Sequence, residues 1–397
     1  MIARYRRKFN SDFTHKKYDE LLQHLSKDLP SISFRVAETP IFIPKELAEK
    51  LVQAGEELIQ FIKRPDFKEL TQGAIPDDWN VPGENDHPHF LTFDFAICKD
   101  ASGTLVPKLI ELQGFPSLYG FQPHLAAQFE KAYDLQKLGE LSPYFGALDK
   151  TAYFKLLKEV IIGNHEAKEV VLLDLDAPNQ KTAIDFYLTQ RELGLKILSP
   201  TDLIQEGKQL FYLEQGEKVQ VKRIYNRLIF DEIKNPEAFF NQGFDPRAEL
   251  DVEWITHPNW FYRLSKYTMP YLKGEFVPET QFLLDVKELP QDLENYVLKP
   301  LFSFAGQGVI IDVTADDIYN IKDKENWILQ RKVNYEPVVQ ALDGSVKAEI
   351  RLMYLWPDGK EPVLCINLAR MSRGKMIGVR YNQDFDWVGG TVGLMEK

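Results

Sequence analysis

Apolar residues recur with a helical period over much of the first 90 residues. Between residues 47 and 61 their spacing is three and four, which predicts an amphipathic helix. The positions are Leu47, Leu51, Ala54, Leu58 and Phe61. Pro44 lies just before them, as expected at a first helical turn. The segment 72–89 is rich in Pro, Gly and Asp and predicts a loop, in which we expect His87 and His89 to be loop residues rather than metal ligands.

After residue 90 the apolar residues alternate with a period of two instead of the helical period. Phe90–Lys99 predicts a strand, residues 100–103 a turn, and Leu105–Gln113 the returning strand of a β-hairpin. Helical spacing then returns over residues 126–165. We therefore predict a helical N-terminal region over 1–90 and a hairpin with helices over 90–165.

Short strands and helices alternate over residues 166–250. The predicted elements are a strand at Val170–Leu173, a helix at Lys181–Leu193, a strand at Lys196–Leu198, a helix from Thr201 and a strand at Val219–Tyr225. Val170–Leu173 is apolar throughout, which is typical of a buried parallel strand. Gly194 is the expected C-cap of the first helix. The pattern predicts a small βαβ unit of Rossmann type.

The remaining region, 255–397, mixes strands and short helices. The strand candidates are Tyr296–Lys299, Gly308–Val313, Trp327–Val333, Ala348–Trp356 and Val363–Arg370. The sequence contains no ordinary P-loop, no nucleophile elbow, no H-E-x-x-H helix and no paired C-x-x-C. Serine hydrolases, zinc proteases and common dehydrogenases are therefore disfavoured.

Composition narrows the class of partner. The 397 residues include 48 Lys and Arg against 59 Asp and Glu, a net charge of −11, which argues against nucleic acid as the main partner. No apolar run approaches the roughly 18 residues needed to span a bilayer. The two cysteines, Cys98 and Cys365, cannot form a disulfide framework and favour a reducing, cytoplasmic compartment.

The strongest chemical signal begins at Lys299. A strand ends in this lysine, and a small-residue loop with Gly306 and Gly308 leads to a second strand. A lysine at a strand end can place its ammonium on a phosphate, and glycines let backbone N–H groups approach phosphate oxygens. The alternative is a hairpin turn with a surface lysine.

Other motifs surround this one in a fixed order. Lys266 lies upstream, Gln330 lies on a strand downstream, and the strand bearing Glu349 and Arg351 follows, with Arg370 beyond it. This ordered set resembles the ATP-grasp superfamily over about residues 255–397. The tail of such an enzyme usually supplies an acidic residue and an asparagine for magnesium, whereas the tail here offers only Asn382.

The missing metal-binding element resembles the predicted hairpin. Alternation places Asp94 on one face of its strand, and Glu111 and Gln113 share one face of the returning strand. The opposite, apolar face is expected to contain Phe93, Phe95, Ile97, Ile110 and Leu112. This arrangement is similar to the hairpin of circularly permuted ATP-grasp ligases, such as glutathionylspermidine synthetase and eukaryotic-type glutathione synthetase, in which the hairpin precedes the lysines.

The resemblance implies a mixed α/β, circularly permuted ATP-grasp fold with a Rossmann-like pre-ATP-grasp domain. It implies that Lys266, Lys299, Gly306 and Gly308 hold the phosphates of ATP, with Gln330 on the adenine-lining strand. Asp94, Glu111 and Gln113 would hold Mg²⁺, a cation that prefers oxygen ligands. Arg351 and Arg370 would face the γ-phosphate or acyl phosphate.

Two departures from the family pattern concern the metal. Gln113 stands where the family has Asn, and no Glu is present in the loop around Ser303. Farther upstream, Asn226 and Arg227 resemble a strand-end segment of the pre-ATP-grasp domain, where they could bind a substrate carboxylate. A structural salt bridge of Arg227 with Asp231 or Glu232 is the alternative.

The sequence therefore predicts an ATP- and Mg²⁺-dependent ligase that joins a small-molecule or peptide carboxylate to an amine or similar nucleophile. A nucleotide-binding protein that no longer catalyses and a nucleotide-sugar glycosyltransferase are the alternatives. Neither the acid, the amine nor the oligomeric state follows from the sequence.

Overall fold

The computed structural model describes residues 1–229, 233, 244–302, 307–377, 382 and 384–396. The helices are α1 (Ala3–Asp12), α2 (His15–Leu25), α3 (Lys45–Ile62), α4 (Phe67–Leu70), α5 (Phe121–Tyr133), α6 (Lys150–Ile162), α7 (Ala183–Leu193), α8 (Pro258–Arg263) and α9 (Ala315–Asn320). The first ten strands are β1 (Ile41–Ile43), β2 (Phe90–Lys99), β3 (Leu105–Gln113), β4 (Leu141–Ser142), β5 (Val170–Leu173), β6 (Lys196–Leu198), β7 (Ile204–Glu206), β8 (Gln209–Glu214), β9 (Glu217–Val221) and β10 (Arg223–Asn226). The others are β11 (Glu253–Ile255), β12 (Thr280–Phe282), β13 (Tyr296–Pro300), β14 (Ile310–Ile311), β15 (Trp327–Arg331), β16 (Val339–Ala341), β17 (Gly344–Leu355), β18 (Val363–Ser372), β19 (Gly389–Thr391) and β20 (Gly393–Glu396). None of the helices in these described ranges is long and apolar enough to cross a lipid bilayer.

The largest sheet joins distant parts of the chain. Its strands are antiparallel in the order β19-β18-β17-β2-β3, and β16 pairs with the start of β17. The predicted hairpin is confirmed with the same bounds, β2 and β3. Its first strand pairs with β17, so that Asp94 lies beside Arg351, 257 residues later.

The apolar face of the hairpin forms part of the main core. Phe93 and Phe95 are fully buried there, together with Leu51 and Leu58 of α3. The predicted amphipathic helix is confirmed as α3, which begins one residue after Pro44. Each large apolar side chain buried in this way contributes roughly 1.5–3 kcal/mol relative to exposure. The packing holds the hairpin with its polar face directed away from this core.

A β-bulge interrupts the hairpin near its polar face. Asp94 pairs with Glu111 and the next residue pairs with Leu109, which leaves Ile110 without a partner in the register. The expected position of Ile110 on the apolar face is therefore wrong, and its side chain packs against Ala96 in a separate small cluster. The extra residue shifts the alternation by one position.

The Rossmann-type unit is present as a parallel sheet in the order β11-β10-β5-β6. Helix α7 ends at Gly194, which has a left-handed φ of 76° and caps the helix as predicted. The helix predicted from Thr201 is wrong. Ser199 and Asp202 form a capping box around a single 3₁₀ turn, and the antiparallel strands β7, β8 and β9 follow.

A smaller antiparallel sheet has the order β12-β15-β13-β14. Leu298 of β13, Leu329 of β15 and Ile318 of α9 form its core, so α9 covers one face. The other face carries the alternate residues, including Lys299 and Gln330. The predicted strand 308–313 is shorter than expected and contains only Ile310–Ile311.

Strand β20, near the end of the chain, lies between β1 and β4 in another small sheet. Ile2 N donates a hydrogen bond to Phe42 O at 3.0 Å, and the Tyr5 hydroxyl donates to Glu396 Oε1 at 2.6 Å. The region 1–90, predicted to be mainly helical, contains helices α1 to α4. Strand β1 was not predicted, because three apolar residues carry no periodicity.

Candidate functional site

Five charged residues lie on one face of the largest sheet. They are Asp94 on β2, Glu111 on β3, Glu349 and Arg351 on β17, and Arg370 on β18. Register explains the cluster, because Asp94 pairs with both Glu111 and Arg351, while Glu349 pairs with Arg370. Residues that pair directly across antiparallel strands point to the same face. Asp94 and Glu111 of the hairpin therefore lie beside Arg351, which is far from them in sequence.

Asp94 is held by two arginines. Arg351 Nε donates to Asp94 Oδ1 at 2.5 Å and Arg351 Nη2 donates to Oδ2 at 2.7 Å, which is a bidentate pair. Arg370 Nη2 donates to the same Oδ2 at 2.5 Å and also donates to Glu349 Oε1. Burial alone would raise the pKa of Asp94, but the two arginines outweigh it and hold that pKa below its ordinary value.

Two lysines approach the same face from the smaller sheet and from the segment after α8. Lys299 Nζ donates to the carbonyl oxygen of Ile110 at 3.1 Å, and this carbonyl lies at the bulge. Burial, together with the positive charge of Lys266, lowers the pKa of Lys299 to about 8, although Glu111 opposes the shift. Burial also lowers the pKa of Lys266. Both ammonium groups therefore lie near the carboxyl group of Glu111.

The hairpin supplies a small set of oxygen ligands. Gln113 Nε2 donates to Glu111 Oε1 at 2.9 Å, and the carboxyl of Glu111 is also within hydrogen-bonding reach of Asp94. In the ranges that the structure describes, no three His, Cys, Asp or Glu side chains form a metal-binding group. Asp94 is already occupied by arginines. The donors that fit Mg²⁺ best are therefore the Glu111 carboxylate and the Gln113 carbonyl, since Mg²⁺ commonly takes one or two carboxylates and completes its shell with phosphates and water.

Two more of the residues expected to bind the nucleotide, Gln330 and Gly308, lie on the smaller sheet or in its turn. Gln330 is buried on the same face as Lys299, and its Nε2 donates to Thr280 Oγ1 at 3.0 Å. Gly308 has φ +74°, and a Cβ at this position would lie 3.0 Å from Pro300 Cγ. A side chain is thus disfavoured at the turn. Gly306 lies outside the described residues.

Arg227 occupies the carboxyl end of β10. Its guanidinium lies between the rings of Phe115 and Phe186, 4.7 and 4.8 Å from their centroids. It is 5% exposed, and Nε and Nη1 have no hydrogen-bond partner among the described residues. Asn226 has a local structural role, because its Oδ1 accepts a hydrogen bond from Leu228 N. The alternative partners, Asp231 and Glu232, lie outside the described residues.

Asn382 and the two loop histidines have structural contacts. Asn382 Oδ1 accepts hydrogen bonds from the backbone N–H groups of Arg373 and Gly374, so it organises the turn after β18. His89 is fully buried, and its Nε2 lies 2.9 Å from Asp358 Oδ1 in the turn between β17 and β18.

Sequence reasoning named no role for Glu349 or Tyr335. Glu349 lies two residues before Arg351, so alternation along β17 was a sufficient signal to place it on the same face. Its Oε2 accepts a hydrogen bond from the Tyr335 hydroxyl at 2.7 Å. Tyr335 lies outside any strand, and no periodicity places it there.

The fold thus has a large antiparallel sheet, a Rossmann-type unit and a smaller sheet whose lysine faces the carboxylates of a hairpin. No protein-family model matches the sequence, and neither does any curated protein. Among solved structures, a glutathione synthetase-like effector from Globodera pallida in its apo form is similar, with a TM-score of 0.60 and 11% sequence identity. The match covers 95% of this chain and 96% of the effector. The chain therefore has a glutathione synthetase-like, mixed α/β fold.

Proposed function

We propose that this protein is an ATP-dependent ligase of the circularly permuted ATP-grasp type. It joins a small-molecule or peptide carboxylate to an amine or similar nucleophile through an acyl phosphate. One observation carries the proposal: four chain segments bring together two buried lysines, a carboxylate–amide pair and two arginines beside one face of the largest sheet. The glutathione synthetase-like fold supports it.

The nucleotide would lie between the smaller sheet and the hairpin. Lys266 and Lys299 would contact its α- and β-phosphates, since both ammonium groups lie near Glu111. The turn at Gly308, with Gly306, would approach the triphosphate. Gln330 would contribute to the adenine side of the cleft, where Thr280 fixes its amide.

Glu111 and Gln113 would hold magnesium. The chemistry that magnesium supplies when bound is neutralisation of charge on the β- and γ-phosphates. Asp94 has a different task in this proposal, because both of its oxygens accept from arginines. It would hold Arg351 and Arg370 in place so that their remaining N–H groups meet the transferred phosphoryl group.

The reaction needs positioning and charge neutralisation more than covalent help. A carboxylate oxygen of the acid forms a bond to the γ-phosphorus, and the bond to the β-phosphate bridging oxygen breaks to release ADP. The nitrogen of the amine then attacks the acyl carbon, loses a proton, and displaces inorganic phosphate. Arginines fixed before the substrate arrives stabilise the developing charge without reorganisation.

Arg227 would receive the carboxylate of a substrate. Its guanidinium is buried beside two phenyl rings, and Nε and Nη1, which have no hydrogen-bond partner among the described residues, would donate to the two oxygens of that carboxylate. Phe115 lies two residues after Gln113, so this arginine stands beside the end of the metal-binding hairpin.

A nucleotide-binding protein without catalysis is the second candidate. Gln113 replaces the expected asparagine, and the arginines withdraw Asp94 from the metal set. Both features would weaken a magnesium site. A protein of this kind would bind ATP and release no phosphate.

Magnesium-dependent phosphate release from ATP, screened over pairs of acids and amines, distinguishes the two. We expect a pair that stimulates release in the wild type, with release lost in Glu111→Gln and in Lys299→Met. Exposed Lys287→Met is the matched control and should behave like the wild type. Binding of magnesium–ATP with no stimulating pair would favour the inactive protein, and absence of nucleotide binding would refute both.

A further inference from the structure

A short connector, residues 332–338, links the smaller sheet to the largest sheet. It leaves the end of β15 and crosses the polar side of the hairpin before β16. Apolar residues of both segments share one cluster, which contains Ala96, Cys98, Val106, Ile110, Val333 and Tyr335. Glu336 N also donates to Ile97 O at 2.9 Å, and Lys99 Nζ donates to Glu336 Oε1 at 2.7 Å. The connector is therefore fixed to the hairpin at two neighbouring residues.

Tyr335 reaches from this connector into the charged cluster. Its hydroxyl donates to Glu349 Oε2 at 2.7 Å, and the other oxygen of Glu349 accepts from Arg370. Glu349 is 2% exposed, so its carboxylate depends on these partners rather than on water. Arg370 in turn contacts Asp94, which also holds Arg351. A continuous chain of hydrogen bonds thus joins the connector to both arginines.

These hydrogen bonds fix the long side chain of Arg370, which would otherwise move among rotamers. The Arg370 guanidinium meets two carboxylates, Asp94 on one strand and Glu349 on the next. The Tyr335 hydroxyl orients the second of these carboxylates. A guanidinium oriented in advance stabilises a phosphate more than one that must be ordered on binding.

We infer that Tyr335 is a positioning residue for the γ-phosphate of the nucleotide, acting through Glu349 on Arg370. The inference rests on the proposed function, because it assumes that Arg370 faces this phosphate. It adds that the Tyr335 hydroxyl, on the segment joining the two sheets, controls recognition of the terminal phosphate, whereas the lysines would control recognition of the rest of the nucleotide.

The ratio of affinities for magnesium–ATP and magnesium–ADP isolates this role, since the two ligands differ by the γ-phosphate. Calorimetry on the full-length wild type and on Tyr335→Phe would give both dissociation constants. The variant keeps the ring packed on the hairpin and loses only the hydroxyl. We expect the preference for ATP to fall about tenfold, the order that a hydrogen bond to a charged group contributes. The affinity for ADP should stay within about twofold.

A second variant and two controls distinguish the positioning of Arg370 from a general loosening of the connector. Glu349→Gln keeps the side-chain shape and should also lower the preference for ATP, so it tests the same chain if Tyr335→Phe does not fold. Glu336→Gln weakens the other attachment of the connector, and Tyr319→Phe changes a tyrosine that is 68% exposed. Both controls should keep the wild-type ratio.

Each result decides the matter. An unchanged ratio in folded Tyr335→Phe, or an equal fall in Glu336→Gln, would overturn the positioning role and leave the proposed function standing. A wild type that binds neither nucleotide would refute the proposed function together with the inference.

Discussion

Asp94→Asn is expected to destabilise the whole protein as well as the site. Asp94 is 1% exposed and accepts hydrogen bonds from Arg351 at 2.5 and 2.7 Å and from Arg370 at 2.5 Å. The substitution keeps the size of the side chain and removes its charge, which leaves Arg351 without a carboxylate partner and Arg370 with Glu349 alone. Removing one partner of a buried ion pair typically costs about 3–5 kcal/mol. We expect the free energy of unfolding to fall by that amount.

Urea denaturation followed by tryptophan fluorescence measures this fall in the free energy of unfolding. The comparison holds if the slope of that free energy against urea concentration is the same in the wild type and the variant. Glu111→Gln is the matched control, since Glu111 faces the same side of the sheet and is only half-buried. We expect this control to lose less than about 1 kcal/mol, within the range of ordinary surface changes. Combining Asp94→Asn with Arg351→Met should recover part of the loss, because among the described residues Arg351 has no carboxylate partner other than Asp94, whereas Arg370 keeps Glu349.

The pH dependence provides a second measurement of the same interaction. The arginines hold the pKa of Asp94 below its ordinary value in the folded protein. A depressed pKa contributes stability that is complete above the unfolded pKa, near 4, and is lost as the pH falls through the folded pKa. Below about pH 4, the free energy of unfolding should therefore fall less steeply with decreasing pH in Asp94→Asn than in the wild type. If Asp94→Asn is as stable as Glu111→Gln and keeps the wild-type acid limb, the buried ion cluster is refuted and Asp94 becomes available as a metal ligand.

Three further predictions concern the nucleotide, the metal and the fold. Lys299→Ala should weaken magnesium–ATP binding roughly ten- to over one-hundredfold in calorimetry, and an unchanged dissociation constant in a folded variant would remove Lys299 from the site. Glu111→Gln should raise the magnesium concentration needed for half-maximal ATP binding about tenfold or more, whereas an unchanged requirement would exclude Glu111 as a ligand. Burial lowers the pKa of His257 to about 4, so its neutral form contributes stability that is complete above pH 6.5 and declines as the pH falls toward 4. Urea titrations between pH 6.5 and 5 should show this decline in the wild type and a smaller one in His257→Asn; equal slopes would contradict it.

The sequence predicted correctly the elements whose apolar and polar residues follow a regular local pattern. The bounds of β2 and β3 follow from strict alternation on both sides of a polar turn, and α3 follows from one apolar stripe after a proline. The antiparallel strands β7 to β9 could not be distinguished from a helix by local pattern in the same way. Its strands are short and carry exposed charged side chains, and the turn at Gly207 became informative only with its positive φ of 63°.

Pairing between distant strands was predictable only through motif order. Nothing in the composition of β2 or β17 indicates that Asp94 and Arg351 are neighbours, since 257 residues separate them. The order of lysines, glutamine and arginine along the chain supplied that link. It could not distinguish a carboxylate that holds a metal from one that holds arginines, because the register of β18 decides whether Arg370 also reaches Asp94.

The charges in the cleft suggest which form of the nucleotide it prefers. The cationic groups are Lys266, Lys299, Arg351 and Arg370, and the carboxylates are Asp94, Glu111 and Glu349. Asp94 and Glu349 already balance most of the arginine charge, so in the proposed site the arginines would meet only the terminal phosphate while the two lysines would meet the other two phosphates. Glu111 would repel a phosphate chain that arrived without a cation, because like charges at short range in a buried site interact strongly. Magnesium–ATP would remove this repulsion and free ATP would not, so we expect the proposed site to bind the metal complex more tightly than the bare nucleotide.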